Sequence, residues 1–156
     1  MTSPIWTTYW HRQGAPLCLC IYLPAAAPLA AAWMLRHDDG LSFVLSALGL
    51  LMLVLAASFH HLTVADEGDR LSVAFGPVPL FQRRVPYDEI RHVEIGRTSI
   101  LDGWGIHMSP KGGWVWNIWG RDCVVLRLRK GILRIGTDDA QNLAMFLKGR
   151  MEDSAE

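Results

Sequence analysis

Charge is scarce in the first 61 residues of this chain. Only Arg12, Arg36, Asp38 and Asp39 are ionised there, whereas the 95 residues from Leu62 onward carry the other 26 charges, thirteen of each sign. Such a division implies two different solvents. Cysteine is scarce too: Cys18, Cys20 and Cys123 are too few for a disulfide framework, and Cys18-x-Cys20 lacks the two-residue spacing of a redox or zinc motif. A net charge of zero argues against a basic nucleic-acid arm, and 51% hydrophobic residues argue against intrinsic disorder. Catalytic signatures are also missing. Gly112-Gly113 is not followed by Lys-Ser or Lys-Thr, and neither a nucleophile elbow nor HExxH occurs. Asp88-Glu89 are adjacent acids that point apart, so they cannot share a site as general acid/base chemistry requires. The expectation is a protein that is not an enzyme and carries no cofactor or metal.

Two uncharged runs account for the missing charge. Between Arg12 and Arg36 lie 23 residues, and Leu41–Phe59 adds 19 more. Nineteen residues rising 1.5 Å each cover about 28 Å, close to the hydrocarbon thickness of a bilayer. The second run holds seven leucines, two valines, two phenylalanines and Met52, which favour insertion by roughly 3 to 7 kcal/mol. The first is weaker, because Pro24 and Pro28 each remove a backbone donor. These patterns predict transmembrane helices over about 15–35 and 41–59, joined by the short link Arg36–Gly40 into an antiparallel hairpin with both flanks on one side. Small residues at Ala25, Ala26, Ala30, Ser46, Gly49 and Ala56 would allow close helix contact. Trp6, Tyr9, Trp10 and Trp33 fall near the expected water boundaries. A secretory signal over 1–32 is the rival reading, opposed by its prolines and by the stronger span that follows. Arg70, Arg83 and Arg84 outnumber the single arginine of the link, which points to a hairpin with cytoplasmic N- and C-termini.

From Leu62 the apolar period becomes two, with turn residues every eight to twelve positions. Strands are expected around Leu62–Ala65, Leu71–Phe75, Leu80–Val85, Ile90–Ile95, Trp104–Met108, Trp114–Ile118, Val124–Leu128 and Leu133–Ile135. An amphipathic helix then follows Thr137, a candidate N-cap, with Leu143, Phe146 and Leu147 forming its apolar stripe. The fold class is membrane-anchored α+β: a hairpin and N-terminal segment over 1–61, a mainly antiparallel β domain over 62–150 shaped as a partly open barrel with a C-terminal capping helix, and a polar tail at 151–156.

Gly103-Trp104-Gly105-Ile106, Trp116-Asn117-Ile118-Trp119-Gly120, Val124-Val125-Leu126-Arg127-Leu128 and Arg134–Asp139 resemble the bacterial pleckstrin-homology-like (PH-like) domains that follow a transmembrane hairpin in many small membrane proteins. The resemblance covers about residues 60–150. It implies two roughly orthogonal antiparallel sheets, a capping helix, and a role in binding or assembly. Eukaryotic relatives of that fold bind inositol phosphates through basic residues of the first hairpin loop. Here that loop, Ala65–Arg70, carries three acids and one base, so that ligand site is not carried over.

The candidate binding residues are Arg127, Arg129, Arg134, Trp119 and Lys111. A turn at Lys130-Gly131 would set Leu128 against Leu133 and Arg127 against Arg134, with Arg129 beside them; opposed like charges in a sheet need an acidic neighbour or partner. Such a face either docks anionic groups or is neutralised by Glu94 or Asp122. Trp104, Trp114 and Trp116 share the phase of Ile106 and Ile118 and are expected in the core. Trp119 is out of phase and expected at the surface, near the Lys111 hairpin. His60-His61 are read as an interfacial junction, with haem or metal binding as the lesser alternative, and His107 has no evident catalytic partner. The expected function is a membrane-tethered PH-like module that binds a protein partner or self-associates at the cytoplasmic surface. The alternative is an anionic-lipid sensor. The bilayer is the one partner implied by composition itself; no nucleic acid and no small-molecule substrate is indicated.

Overall fold

A computed structural model describes residues 8–99 and 103–153. Trp6 lies outside them. The first element among the described residues is a strand that periodicity did not reveal, β1 (Trp10–Gly14), which passes through a 3-10 turn (Pro16–Cys18) into helix α1 (Leu19–Met34). Helix α2 (Asp39–Ser58) returns, its start capped by the Asp38 carboxylate accepting from the Leu41 amide at 3.0 Å. Helix α1 runs on through Pro24 and Pro28. Pro16–Met34 and Asp39–Ser58 are each long and apolar enough to cross a membrane, and only 17% and 11% of these spans is buried. A core helix of a soluble protein would be mostly covered. Here Leu23, Trp33, Met34, Phe43, Val44, Leu50 and Leu51 stand exposed.

Small residues make the helix pair close. Ala25 and Ala56 are fully buried and Gly49 is buried beneath Leu29, whereas Ala26 and Ala30 face outward. The Ser42 hydroxyl adds an interhelical bond to the Ala32 carbonyl at 3.2 Å.

Two sheets follow. The first, in order β1-β2-β3-β4, takes β2 (His61–Asp66), β3 (Arg70–Gly76) and β4 (Gln82–Pro86), all antiparallel. The second, in order β5-β8-β9-β7-β6, is built from β5 (Ile90–Arg97), β6 (Gly105–Met108), β7 (Trp114–Asn117), β8 (Asp122–Leu128) and β9 (Ile132–Gly136). Its β7–β9 pair is parallel. The expected barrel does not form: the two sheets stay separate, packing face to face instead of closing through shared strands. Helix α3 (Ala140–Asp153) covers the core, beginning after Thr137 and taking in residues 151–153 of what was expected to be a polar tail. Thr137 does not cap it directly; its hydroxyl accepts from the Asp139 amide, and the Asp139 carbonyl takes the first helical bond from Leu143.

Leu62, Val64, Leu71, Val73 and Phe75 from the first sheet meet Val93, Trp116, Val124, Leu126, Leu133 and Ile135 from the second, under Leu143, Phe146 and Leu147 of α3. Each such side chain contributes about 1.5–3 kcal/mol on burial. Phe75 and Trp116 touch across the layers with ring centroids 5.8 Å apart.

The β domain, expected to start at Leu62, therefore takes its first strand from ahead of the helices. β1 and the residue before it are tied to the segment leading into α3 as well as to β2, because the Tyr9 hydroxyl donates to Asp139 at 3.0 Å and His11 Nε2 meets Asp138 at 2.5 Å.

Candidate functional site

The register of β1 on β2 fixes which end of the domain adjoins the helices. Gly14 opposes His61, the Ala15 amide donates to the His60 carbonyl at 3.2 Å, and the His60 amide donates to the Gly76 carbonyl at 3.1 Å. Both helices thus leave one edge of one sheet with no linker. Phe59, at the end of α2, packs its ring 4.9 Å from Phe75 and 5.4 Å from Phe81. The Tyr22 hydroxyl meets His60 Nε2 at 2.8 Å across the helix bases. His60 and His61 diverge, His60 toward Tyr22 and His61 over Gly76.

Trp119 belongs to this helix-proximal end. Asn117, fully buried, shapes its loop: the side-chain amide donates to the Gly120 carbonyl at 3.0 Å, and the side-chain oxygen accepts from the Trp119 amide at 3.2 Å. Buried Gln13, next to Gly14, donates to the Trp119 carbonyl at 3.2 Å. The Trp119 ring then stacks on Trp104, with centroids 4.3 Å apart and planes 21° apart. Trp104 was expected in the core and is instead 48% exposed. The cause is local: Gly103 and Gly105 take φ of +58° and +100°, which breaks the alternation that would have put Trp104 in phase with Ile106. Trp114, also expected inside, is 44% exposed at the far end of its strand; Trp116 alone of the three is core.

The basic candidates lie elsewhere. The β8–β9 turn is tighter than expected, centred on Arg129-Lys130 with the Leu128 amide donating to the Gly131 carbonyl, and Gly131 takes φ of +91°. Leu126 therefore opposes Leu133, Arg127 opposes Ile132, and Arg134 opposes Val125. The expected Arg127–Arg134 opposition becomes a diagonal. Arg127 pairs with Glu94 at 3.3 Å, Arg129 approaches Asp88 at 3.7 Å, and Arg134 donates to the Gly112 carbonyl. Asp122 pairs with Arg97 instead. These exposed pairs contribute about 0–1 kcal/mol each. Lys111 is exposed in the β6–β7 turn, whose Gly112 receives Arg134.

Arg127 stands five residues along β8 from Asp122, roughly 17 Å from the Trp119 loop. The Arg129 amide donates to the Glu89 carbonyl, and the Tyr87 amide to that of Asp69, in the β2–β3 turn at the end of the first sheet away from the helices. The structure thus sets Arg127 and Arg129 toward the helix-distal end, pairs Arg134 with the turn that carries Lys111, and keeps Trp119 apart from Arg127 and Arg129.

The distal end is held by a buried carboxylate. Asp66 accepts from the Tyr87 hydroxyl at 2.7 Å, the Gly68 amide at 2.8 Å and Arg150 at 2.6 Å, and its side chain is 1% exposed. Burial would raise its pKa, but these hydrogen bonds and the Arg150 charge outweigh it and hold the carboxyl below its ordinary value. Burial, then the hydrogen bond to Asp66, pushes Tyr87 upward, so it stays a phenol. No group of three or more metal-capable side chains assembles among the described residues. Sequence reasoning missed Gln13, Asn117 and Arg150, whose roles depend on contacts 84 to 106 residues away or on a buried amide inside a strand.

Neither a protein-family model nor a curated protein matches the chain.

Proposed function

We propose that this chain is a membrane-tethered PH-like interaction module: α1 and α2 span a bacterial inner membrane, and the β domain binds an acidic protein partner or a second copy at the cytoplasmic surface. One observation carries the reading. The strands flanking the helix pair, β1 and β2, are hydrogen-bonded neighbours, so the domain is fixed to its anchor without a linker. A docking face held this way gains effective concentration for anything else in the same membrane. Two packed sheets with a C-terminal helix over their core are consistent with a PH-like relation, and the parallel β7–β9 pair is this chain's departure from it.

Lipid sensing draws less support. Arg127 and Arg129 stand toward the end away from the helices, beside Asp88 and Glu89, where anionic headgroups of the host membrane are remote and a partner's acidic face is not. The test is crosslinking of the full chain in native membranes, comparing the natural sequence with Arg127→Glu/Arg134→Glu. Salt-sensitive adducts that the double reversal abolishes support the reading, and adducts indifferent to both salt and reversal oppose it. Orientation is read separately with Lys130→Cys, since Lys130 is exposed and Cys123 is buried. Labelling of that cysteine by an impermeant thiol reagent in intact cells contradicts cytoplasmic placement.

A further inference from the structure

The helix-proximal rim of the β domain carries exposed apolar side chains on two unconnected loops. The β3–β4 loop, Pro77–Phe81, has no charge; Leu80 is 51% exposed at its tip, while Phe81 is anchored on Phe59 and its carbonyl accepts from the Phe75 amide at 2.9 Å. The stacked Trp104–Trp119 pair, 48% and 39% exposed, stands on the other sheet and is drawn to this edge by Gln13. Soluble surfaces seldom group such side chains at one edge.

Helix length says what lies against that edge. Twenty residues of α2 rise about 30 Å, the thickness of a hydrocarbon layer, so a span that begins at Asp39 ends at Phe59. At the opposite end, Trp33 is 70% exposed with the Arg36 guanidinium 4.9 Å from its ring, an arrangement suited to a membrane boundary. The boundary on the domain side falls at the residue against which Phe81 packs. Amphipathic indoles favour that layer, where a ring meets acyl chains and its N–H meets headgroups and water.

We infer that Leu80 and the Trp104–Trp119 pair sit in the headgroup–acyl boundary of the bilayer, so that the β domain is docked flat on the lipid it is anchored in and its Arg129-Lys130 turn is held outward. The inference rests on the reading that α1 and α2 span. Because the contact is apolar and interfacial, it needs no anionic lipid.

The full chain, with Cys20 replaced by serine, is reconstituted in phosphatidylcholine bilayers and spin-labelled singly at Leu80→Cys, Trp119→Cys, Leu50→Cys and Lys130→Cys. Collision rates with oxygen and with a polar paramagnetic complex then report depth. Leu50, mid-helix, is expected deep, Lys130 aqueous, and positions 80 and 119 between them. Labels at 80 and 119 as accessible to the polar reagent as Lys130, with Leu50 deep, overturn this inference and leave the spanning reading intact. A Leu50 label as accessible as Lys130 overturns both. Quenching of tryptophan fluorescence by brominated lipid, compared between the natural chain and Trp119→Phe, provides the same depth without a label; a quenched component lost in Trp119→Phe supports the inference, and none opposes it.

Discussion

The side-chain amide of Gln13 donates to the backbone carbonyl of Trp119 across 3.2 Å, joining a strand ahead of the first apolar helix to a loop 106 residues later. Gln13 is buried, so its replacement leaves the loop without a tether rather than with a water in its stead. Gln13→Leu is expected to lower domain stability by about 1 kcal/mol, the usual net worth of one hydrogen bond. It should also weaken the exciton signal of the Trp104–Trp119 stack in circular dichroism. Trp104→Phe, which removes one indole and leaves the tether, should abolish that signal. An unchanged signal in Gln13→Leu would show that Asn117 alone positions the ring.

Gly136 makes Asn117 possible. A Cβ at position 136 would lie 2.5 Å from Asn117 Cγ, and Asn117 cannot retreat without giving up its bonds to Trp119 and Gly120. Gly136→Ala is therefore expected to destabilise by about 1–3 kcal/mol, as overpacking does, although the glycine's φ is unremarkable. Thermal unfolding of the full chain in detergent micelles checks it. Asn117→Ala should lose a comparable amount, and the double variant less than the sum, because each change removes what the other disturbs.

Much of this architecture was legible in sequence because its signals are local. Leu71, Val73 and Phe75 alternate, Leu143, Phe146 and Leu147 recur at helical spacing, and Leu41–Phe59 lacks any charge; each pattern states its own element. β1 did not, because Trp-His-Arg-Gln-Gly alternates weakly and its burial comes from β2 and α3, far away in sequence. The arginine register failed at one turn residue: Gly131 with positive φ closes a tighter turn than the leucine pairing suggested. Trp104 failed likewise, since alternation presumes extended backbone and two glycines with positive φ flank it. Arg127 and Arg129 are parted from Trp119 by the length of β8, whereas the placement of Trp119 beside the helices rests on one hydrogen bond from Gln13, which no pattern in the chain encodes.

Tyr87→Phe tests the distal carboxylate. It removes one donor from Asp66, whose side chain is almost wholly enclosed, and should cost about 1–2 kcal/mol at neutral pH. The sign of the pH dependence follows from the lowered pKa of Asp66 in the fold. Stability from that carboxylate is fully present above its ordinary value of about 4 and is lost as pH falls through the lower, folded value. Losing Tyr87 moves the folded value upward, so the natural chain and the variant should differ most near neutrality and converge below about pH 4. A difference that stays constant into acid would mean that the Tyr87 hydroxyl acts through something other than Asp66.

Gly49 and Leu29 set the closeness of the helix pair. A Cβ at position 49 would stand 2.5 Å from Leu29 Cγ and Cδ2, so any side chain there must displace the leucine or part the helices. On the proposed reading that the pair spans a membrane, no hydrophobic force restores the contact; close packing and the Ser42–Ala32 bond hold it, and both need the present separation. Gly49→Ile should therefore loosen the pair, lowering unfolding temperature in micelles and reducing disulfide trapping between cysteines introduced at Ala25 and Ala56. Leu29→Ala alone should do less, since it opens space without forcing the backbones apart. The pair Gly49→Ile/Leu29→Ala should recover much of the loss, because the added side chain then occupies the room the leucine vacated. Failure of that rescue, with both single variants folded, would place the limiting contact at Ala25 and Ala56 instead.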